Sequence, residues 1–488
     1  MSYDELVERV RKISNVGHAA GVLRWDQEVM MPEGGTPARS KQLSTLSSVR
    51  HDLLTDDRTG ELLDAAEPDG EDERDERAVV REVRREYERA TRVPNELVEE
   101  ISEATSEAHP VWASAKENDD FDDFAPMLER LVELRREYAD YVNPDVPRYE
   151  ALFEEFEPYL GLDTAERVLS TLRDELVPLV DDVVASDVSH EPLPSVGKDA
   201  QGEMVRDALD ALGYDWEHGR LDVAPHPFST GTQFDARVTT RYSDDPLDAL
   251  TSTVHEFGHA TYTLGLPRDE YGTPLGEARD LTVHESQSRF WENHVARTRA
   301  FWEFFAPRFN ETTGEDVTPR RAYEAANTVE ESNPIRVEAD ELTYHSHILL
   351  RFEVERALIE GDIEVEEVPQ VWNEKHEEYL GFRPESDAQG ALQDIHWSHG
   401  SFGYFPTYSL GSVLAAQIDA AVRDEIDVDA AVRDGDFGGM RDWLRDGIHA
   451  HGKRYETDEL VRRATGDELT AEPFVKYARE KYGELYGV

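Results

Sequence analysis

Apolar residues spaced three or four apart, with charges between them, run through most of this chain and restrict it to a helical fold. Val79, Val80, Val83 and Tyr87, then Leu97 and Ile101, then Met127, Leu131, Leu134 and Tyr138 draw one apolar stripe after another along residues 73–140. Residues 3–16 repeat the pattern. The spacing predicts long helices packed side by side, punctuated at Pro94, Pro110 and Pro126. Such a region is a packing scaffold, or it walls and covers a groove; the pattern serves both.

The period changes once. From His226 to Asp245, Phe234, Ala236, Val238 and Thr240 alternate with polar residues between turn formers, which predicts a short strand or hairpin. Asp64–Arg77 is charged and reads as an exposed turn, Ser186–Asp199 as a loop, and 199–213 as helix again. Helices resume from Leu247, broken by the Gly/Pro loop at 265–276 and the aromatic, glycine-rich loop at 398–406. With no repeat period and no clean linker, residues 1–488 are expected to form one mainly α unit. Within it, 1–140 is the helical region beside the groove and 220–410 the catalytic core.

Charge narrows the setting. There are 106 acidic residues against 51 basic ones, a net of -55, and only eight of the bases are lysine. The acids are dispersed through amphipathic segments rich in aromatics, so the balance describes an acidic surface rather than a disordered chain. Carboxylates remain hydrated and their repulsion is screened in concentrated salt, so a halophile's cytoplasmic protein is expected. The same charge excludes nucleic acid and anionic membrane surfaces as partners. No apolar run has the length of a signal peptide core or a membrane span. With no cysteine, any metal must be held by His, Asp or Glu.

His255-Glu256-Phe257-Gly258-His259 supplies two of those ligands. On a helix the histidines lie one turn apart on one face, and Leu250, Val254 and Phe257 make the apolar back. Glu256 projects roughly 100° from His255, beside a water activated by the metal rather than on the metal itself. That is a catalytic zinc pattern lacking one ligand. Glu285 opens a second helix, continuing through Trp291 and Val295, and follows His259 by 26 residues, enough for a turn and a return. It is a third ligand, or it pairs with Arg289 one turn later.

Further segments carry a family resemblance. His226-Pro227-Phe228, Asp235-Ala236-Arg237-Val238-Thr239, the His255–His259 pattern, His284–Gln287, Ile335–Asp340 and Gly390–Trp397 resemble, in order, six motifs of the carboxypeptidase Taq family of metallocarboxypeptidases. Trp25-Asp26 and the Met30–Gly35 stretch resemble that family's start, so the likeness covers nearly the whole chain. It implies a large, mainly α, zincin-like fold with a deep active-site groove and a small β-sheet near the site. It also implies one divalent metal (Zn2+, with Co2+ as a substitute), commonly a homodimer, and peptides as substrates. Single amino acids would be released from peptide C-termini with broad specificity, proline being disfavoured.

The chemistry assigns roles within that frame. His255, His259 and Glu285 hold the metal, and Glu256 is the general base. Tyr408, or after it Tyr404, donates to the oxyanion; both are otherwise wall-packing aromatics. His226 and His396 are auxiliary donors or packed histidines. For the substrate's terminal carboxylate, a planar guanidinium is required, and Arg237 is the first candidate, with Arg351 and then Arg336 behind it. Asp340 and Asp394 are expected to orient ligands or arginines. Two other readings share the residues: a helical oligopeptidase, endopeptidase or dipeptidase with the same zinc chemistry, and a non-catalytic metal-binding scaffold. The second leaves Glu256 without a purpose.

Overall fold

Helices account for 70% of the chain, and the only sheet among the described residues has three short strands. The computed structural model describes residues 2–68 and 73–488. Part of the expected 64–77 turn, residues 69–72, lies outside them; the described flanks are mostly exposed, between helices Asp57–Ala65 and Arg74–Arg92.

The 73–140 stretch forms three helices, Arg74–Arg92, Asn95–Asn118 and Phe121–Val142. Pro94 separates the first two, as the spacing predicts. Pro110 and Pro126, however, lie inside helices rather than between them. Each sits on an exposed face, and the carbonyls they leave unbonded, those of Ser106 and Asp122, belong to exposed residues that water can satisfy. The break falls instead at Asp119, whose φ of 56° is left-handed and ends the helix. The amino-terminal helix is also longer than its apolar pattern, running Ser2–Val29. Its second half passes through Gly17 and Gly21 and buries Trp25 against the sheet, so tertiary contact extends what propensity alone does not.

The expected hairpin is β2 (Ser229–Thr232) and β3 (Asp235–Thr240), paired antiparallel with Thr230 opposite Arg237. A strand that the alternation did not reveal, β1 (Gly219–Val223), pairs parallel with β3, giving the order β1-β3-β2. β1 is half exposed along its length, so no two-residue period marks it. On β3, Ala236 and Val238 face the core while Arg237 points to the other side.

One apolar core runs from Val93 to Tyr486 and includes Leu250, Val254 and Phe257. A satellite cluster ties helices Ser2–Val29, Asp57–Ala65 and Arg74–Arg92 together and reaches the main body through Leu275. No helix among the described residues is long and apolar enough to cross a membrane.

Candidate metal centre and active site

Helix Pro246–Gly265 begins at Asp245, whose carboxylate accepts the Leu247 N–H, with Pro246 in the first turn. Its apolar face is buried against β2, β3 and helix Leu281–Arg289, which turns His255 and His259 toward Glu285. The three side chains offer donor atoms all within 4.8 Å of one another. Glu285 Oε2 stands 3.7 Å from His255 Nε2 and 3.5 Å from His259 Nε2. Tetrahedral ligands about 2.0–2.2 Å from a common ion are themselves about 3.4 Å apart, so these donors fit a divalent metal of zinc's size.

The outer nitrogens are engaged, which leaves both Nε2 atoms for the ion. His259 Nδ1 donates to the His284 carbonyl at 3.1 Å, and His255 Nδ1 to Glu292 Oε2 at 2.9 Å. Burial, with His284 and His255 nearby, holds His259 well below the usual imidazole range and therefore in its neutral, ligating form. Both sequence readings of Glu285 meet in one carboxylate: Oε1 accepts Arg289 Nε at 2.8 Å while Oε2 faces the histidines.

Glu292 and Arg289 complete the site, and no motif in the sequence marks them as part of it. The helix carrying Glu285 continues as a π-helix over Phe290–Ala296, and Glu292, seven residues or about two turns after Glu285, lies against His255. Burial opposes ionisation of Glu292, yet Arg289, His255 and Arg297 hold its carboxyl well below the usual carboxylate range. Arg289 Nη1 and Arg297 Nη2 donate to it at 3.2 and 3.1 Å. In the sequence its one mark is an acid within an aromatic run, Phe290-Trp291-Glu292-Asn293-His294, with Arg289 before it and Arg297 after it.

Glu256 is not one of the converging ligands, and Ser229 of the hairpin donates to it. Burial raises its pKa to about 7, the range a general base requires at neutral pH. Tyr404 and Tyr408 stand together with ring centroids 5.3 Å apart. Burial raises both phenols, and the Glu285 charge adds to it, so both stay protonated donors beside the trio. Their loop is held by Glu355, which accepts Trp397 Nε1 at 2.8 Å and the Gly403 N–H at 3.1 Å. Burial pushes Glu355 up to about 8.

The remaining candidates form separate groups. Asp394 grips two arginines: Arg336 Nη2 at 2.8 Å on one oxygen and Arg351 Nε at 2.6 Å on the other. Arg351 is fully buried and also donates to the His347 carbonyl, so it braces Asp394 and offers no surface to a substrate. Arg336 donates to the Tyr344 hydroxyl at 3.0 Å and lies 5.2 Å above the Tyr408 ring. His396 is 4.0 Å from Asp394, and burial lowers it to about 4. Asp340 accepts the Leu342 and Thr343 N–H groups, a local capping role.

Arg237 sits elsewhere. It is doubly bonded to Asp235 and lies 4.2 Å over Trp25 of the amino-terminal helix, lining a cavity of about 340 Å3. His226 is exposed in the β1–β2 loop. The structure therefore brings His255, His259, Glu285, Glu256, Tyr404 and Tyr408 together, with Arg336 next to the tyrosines. Arg237 and His226 stand on the sheet and its loop.

Known proteins show the same arrangement of chain. The family model described as Carboxypeptidase Taq (M32) metallopeptidase matches residues 5–482. Thermostable carboxypeptidase 1 of Thermus thermophilus is 39% identical over 100% of this chain and 99% of its own. Carboxypeptidase 1 of Bacillus subtilis is 35% identical over 99% and 98%. The crystal structure of an M32 carboxypeptidase from Deinococcus radiodurans superimposes with a TM-score of 0.96 at 38% identity, covering all of both chains.

Proposed function

The chain belongs to the carboxypeptidase Taq (M32) metallopeptidase family and is a metallocarboxypeptidase, and on that premise we propose that it releases single amino acids from peptide C-termini with one zinc ion. His255, His259 and Glu285 would hold the ion, and Glu256 would be the general base. The observation that carries this reading is the donor geometry, with Glu285 Oε2 3.7 and 3.5 Å from two Nε2 atoms whose rings are fixed from behind. Three protein ligands leave one position open, which is the catalytic rather than the structural pattern.

A bound zinc ion supplies Lewis-acid polarisation of the scissile carbonyl and lowers the pKa of water. Glu256 takes the proton of the attacking water and passes it to the leaving amine. The oxyanion accepts a hydrogen bond from Tyr408, with Tyr404 orienting that phenol. Arg336 takes precedence over Arg237 as the anchor for the terminal carboxylate, because it stands against Tyr408 while Arg237 lies against Trp25 on the other side of the sheet. Asp394, braced by Arg351, fixes the Arg336 plane, so the guanidinium meets the carboxylate without first losing side-chain freedom.

Timed mass spectrometry of a zinc-loaded sample with an unblocked peptide tests this. The expected product is a ladder shortened one residue at a time from the C-terminus, with nearly all activity lost when that end is an amide. An amidated peptide cut as fast as the free acid would replace this reading with an endopeptidase of the same chemistry.

The acidic surface supports a second element of the proposal, that the enzyme works inside a cell kept at high salt. At a net charge of -55, self-repulsion is screened to roughly 3 Å only near 1 M salt. Dialysis from molar salt into dilute buffer is expected to lower both the thermal midpoint and the activity. Unchanged values across that range would remove the salt adaptation.

A further inference from the structure

Helix Arg74–Arg92 carries seven arginines in 19 residues, in a chain with a net charge of -55. Six of them line an open cavity of about 440 Å3, together with Glu67, Glu88, Glu154, Val142 and Tyr159. None of the metal-site residues reaches it. Three of the six are already paired with carboxylates. Arg84 pairs with Asp64 and Glu67 at 3.1 and 2.8 Å, Arg92 with Glu88 at 2.7 Å, and Arg81 with Glu82 at 2.8 Å.

Arg85 and Arg89 differ. Among the described residues neither is ion-paired: Arg85 donates to the Glu154 carbonyl, and Arg89 lies beside the Tyr138 hydroxyl. Arg89 Nη2 is buried without any hydrogen-bond partner. The two lie four residues apart, so both guanidinium groups face the same space, an arrangement that is repulsive unless something anionic sits between them. Burial, with the Arg89 charge added, lowers the Arg85 guanidinium. With 106 acids against 51 bases, a shortage of carboxylates does not explain the vacancy of partners.

We propose that this cavity is an anion site for free inorganic phosphate or diphosphate. A planar guanidinium binds two oxygens in parallel, and a dianion neutralises both unpaired charges where a monocarboxylate leaves one. A tetrahedral oxyanion also presents separate oxygens to Arg85, Arg89 and the neighbouring Arg81. The volume exceeds that of a single phosphate and accommodates the diphosphate.

Calorimetric titration of the metal-loaded enzyme with inorganic phosphate and with pyrophosphate, at ionic strength held constant with chloride, is the test. Phosphate also has affinity for metal centres, so the wild type is compared with Arg85→Gln/Arg89→Gln. The double variant is expected to bind the tighter of the two anions at least about tenfold more weakly, with peptide hydrolysis retained. Arg84→Gln, which removes a guanidinium already paired, is expected to change binding less than about threefold. Equal affinity in the wild type and the double variant would overturn the proposal, and so would succinate binding as tightly as pyrophosphate. If the double variant does not fold, the wild type decides: pyrophosphate raises the thermal midpoint of the metal-free protein above an equal ionic strength of chloride, or the site does not exist.

Discussion

Replacing Glu256 by Gln is expected to leave the metal bound and to reduce kcat by roughly 10²-fold or more, the range associated with loss of general-base catalysis. Gln keeps the shape of the side chain and still accepts the Ser229 hydroxyl that now meets Glu256. What it removes is a group that accepts a proton. Glu256 is buried, 7% exposed, and it is not among the three residues whose donor atoms converge, so the ligand set is untouched. Metal content by elemental analysis, together with kcat on an unblocked peptide, separates the possibilities. A variant with one metal per chain and wild-type turnover would show that another group moves the proton. A variant that has lost its metal would place Glu256 among the ligands.

The contrast between Glu256 and Glu292 shows what was legible in the residues alone. Spacing of one and four along a regular helix fixes which side chains share a face, so His255, His259 and the divergent Glu256 follow from local geometry. The helical body of the molecule is legible for the same reason, since a 3.6-residue period in apolar side chains survives any tertiary arrangement. Glu292 shares a helix face with Glu285, seven residues before it, but its place in the site depends on the contact with His255 of another helix, 37 residues away, which no short-range pattern encodes. β1 escapes for a related reason: it exists because β3 offers an edge, and its own residues show no alternation. The arginine assignments rest on pairings across 43 and 58 residues, Arg351 and Arg336 with Asp394. No short-range pattern encodes which of several arginines finds a given acid. Arg237 belongs to a recognisable motif, but strand alternation sends it to the Trp25 side of the sheet, opposite Ala236 and Val238.

Gly258→Ala, inside the metal-binding helix, is expected to weaken metal binding by at least tenfold and to cut kcat/KM by about 10²-fold, the cost associated with a misplacement of about 1 Å in a catalytic group. Helix propensity argues the opposite sign, because Ala in place of an interior Gly stabilises an isolated helix by about 1 kcal/mol. Packing decides. A Cβ at position 258 would stand 2.5 Å from both the Ser288 Cα and the Gln287 carbonyl oxygen. Those are backbone atoms of the helix that carries Glu285, so no rotamer change relieves the contact. Ordinary carbon contacts begin near 3.5 Å, so the two helices must separate by about 1 Å. The second helix has nowhere to retreat, since on its far side Gly411 of helix Pro406–Glu425 already abuts Glu285, with an ideal Cβ only 2.5 Å from the Glu285 Cβ. The helix that carries Glu285 is thus clamped between two glycines, Gly258 against Gln287 and Ser288 and Gly411 against Glu285 itself, and the 3.5 Å approach of Glu285 to His259 depends on that close packing. Overpacking of this kind costs about 1–3 kcal/mol of stability, which leaves a folded protein in which the metal affinity can be measured by competition with a chelator. Gly161→Ala, where no atom lies within 4 Å of the added carbon, is the control and is expected to change neither quantity. If Gly258→Ala binds metal and turns over like the control, the close contact of the two helices is not what sets the Glu285 position.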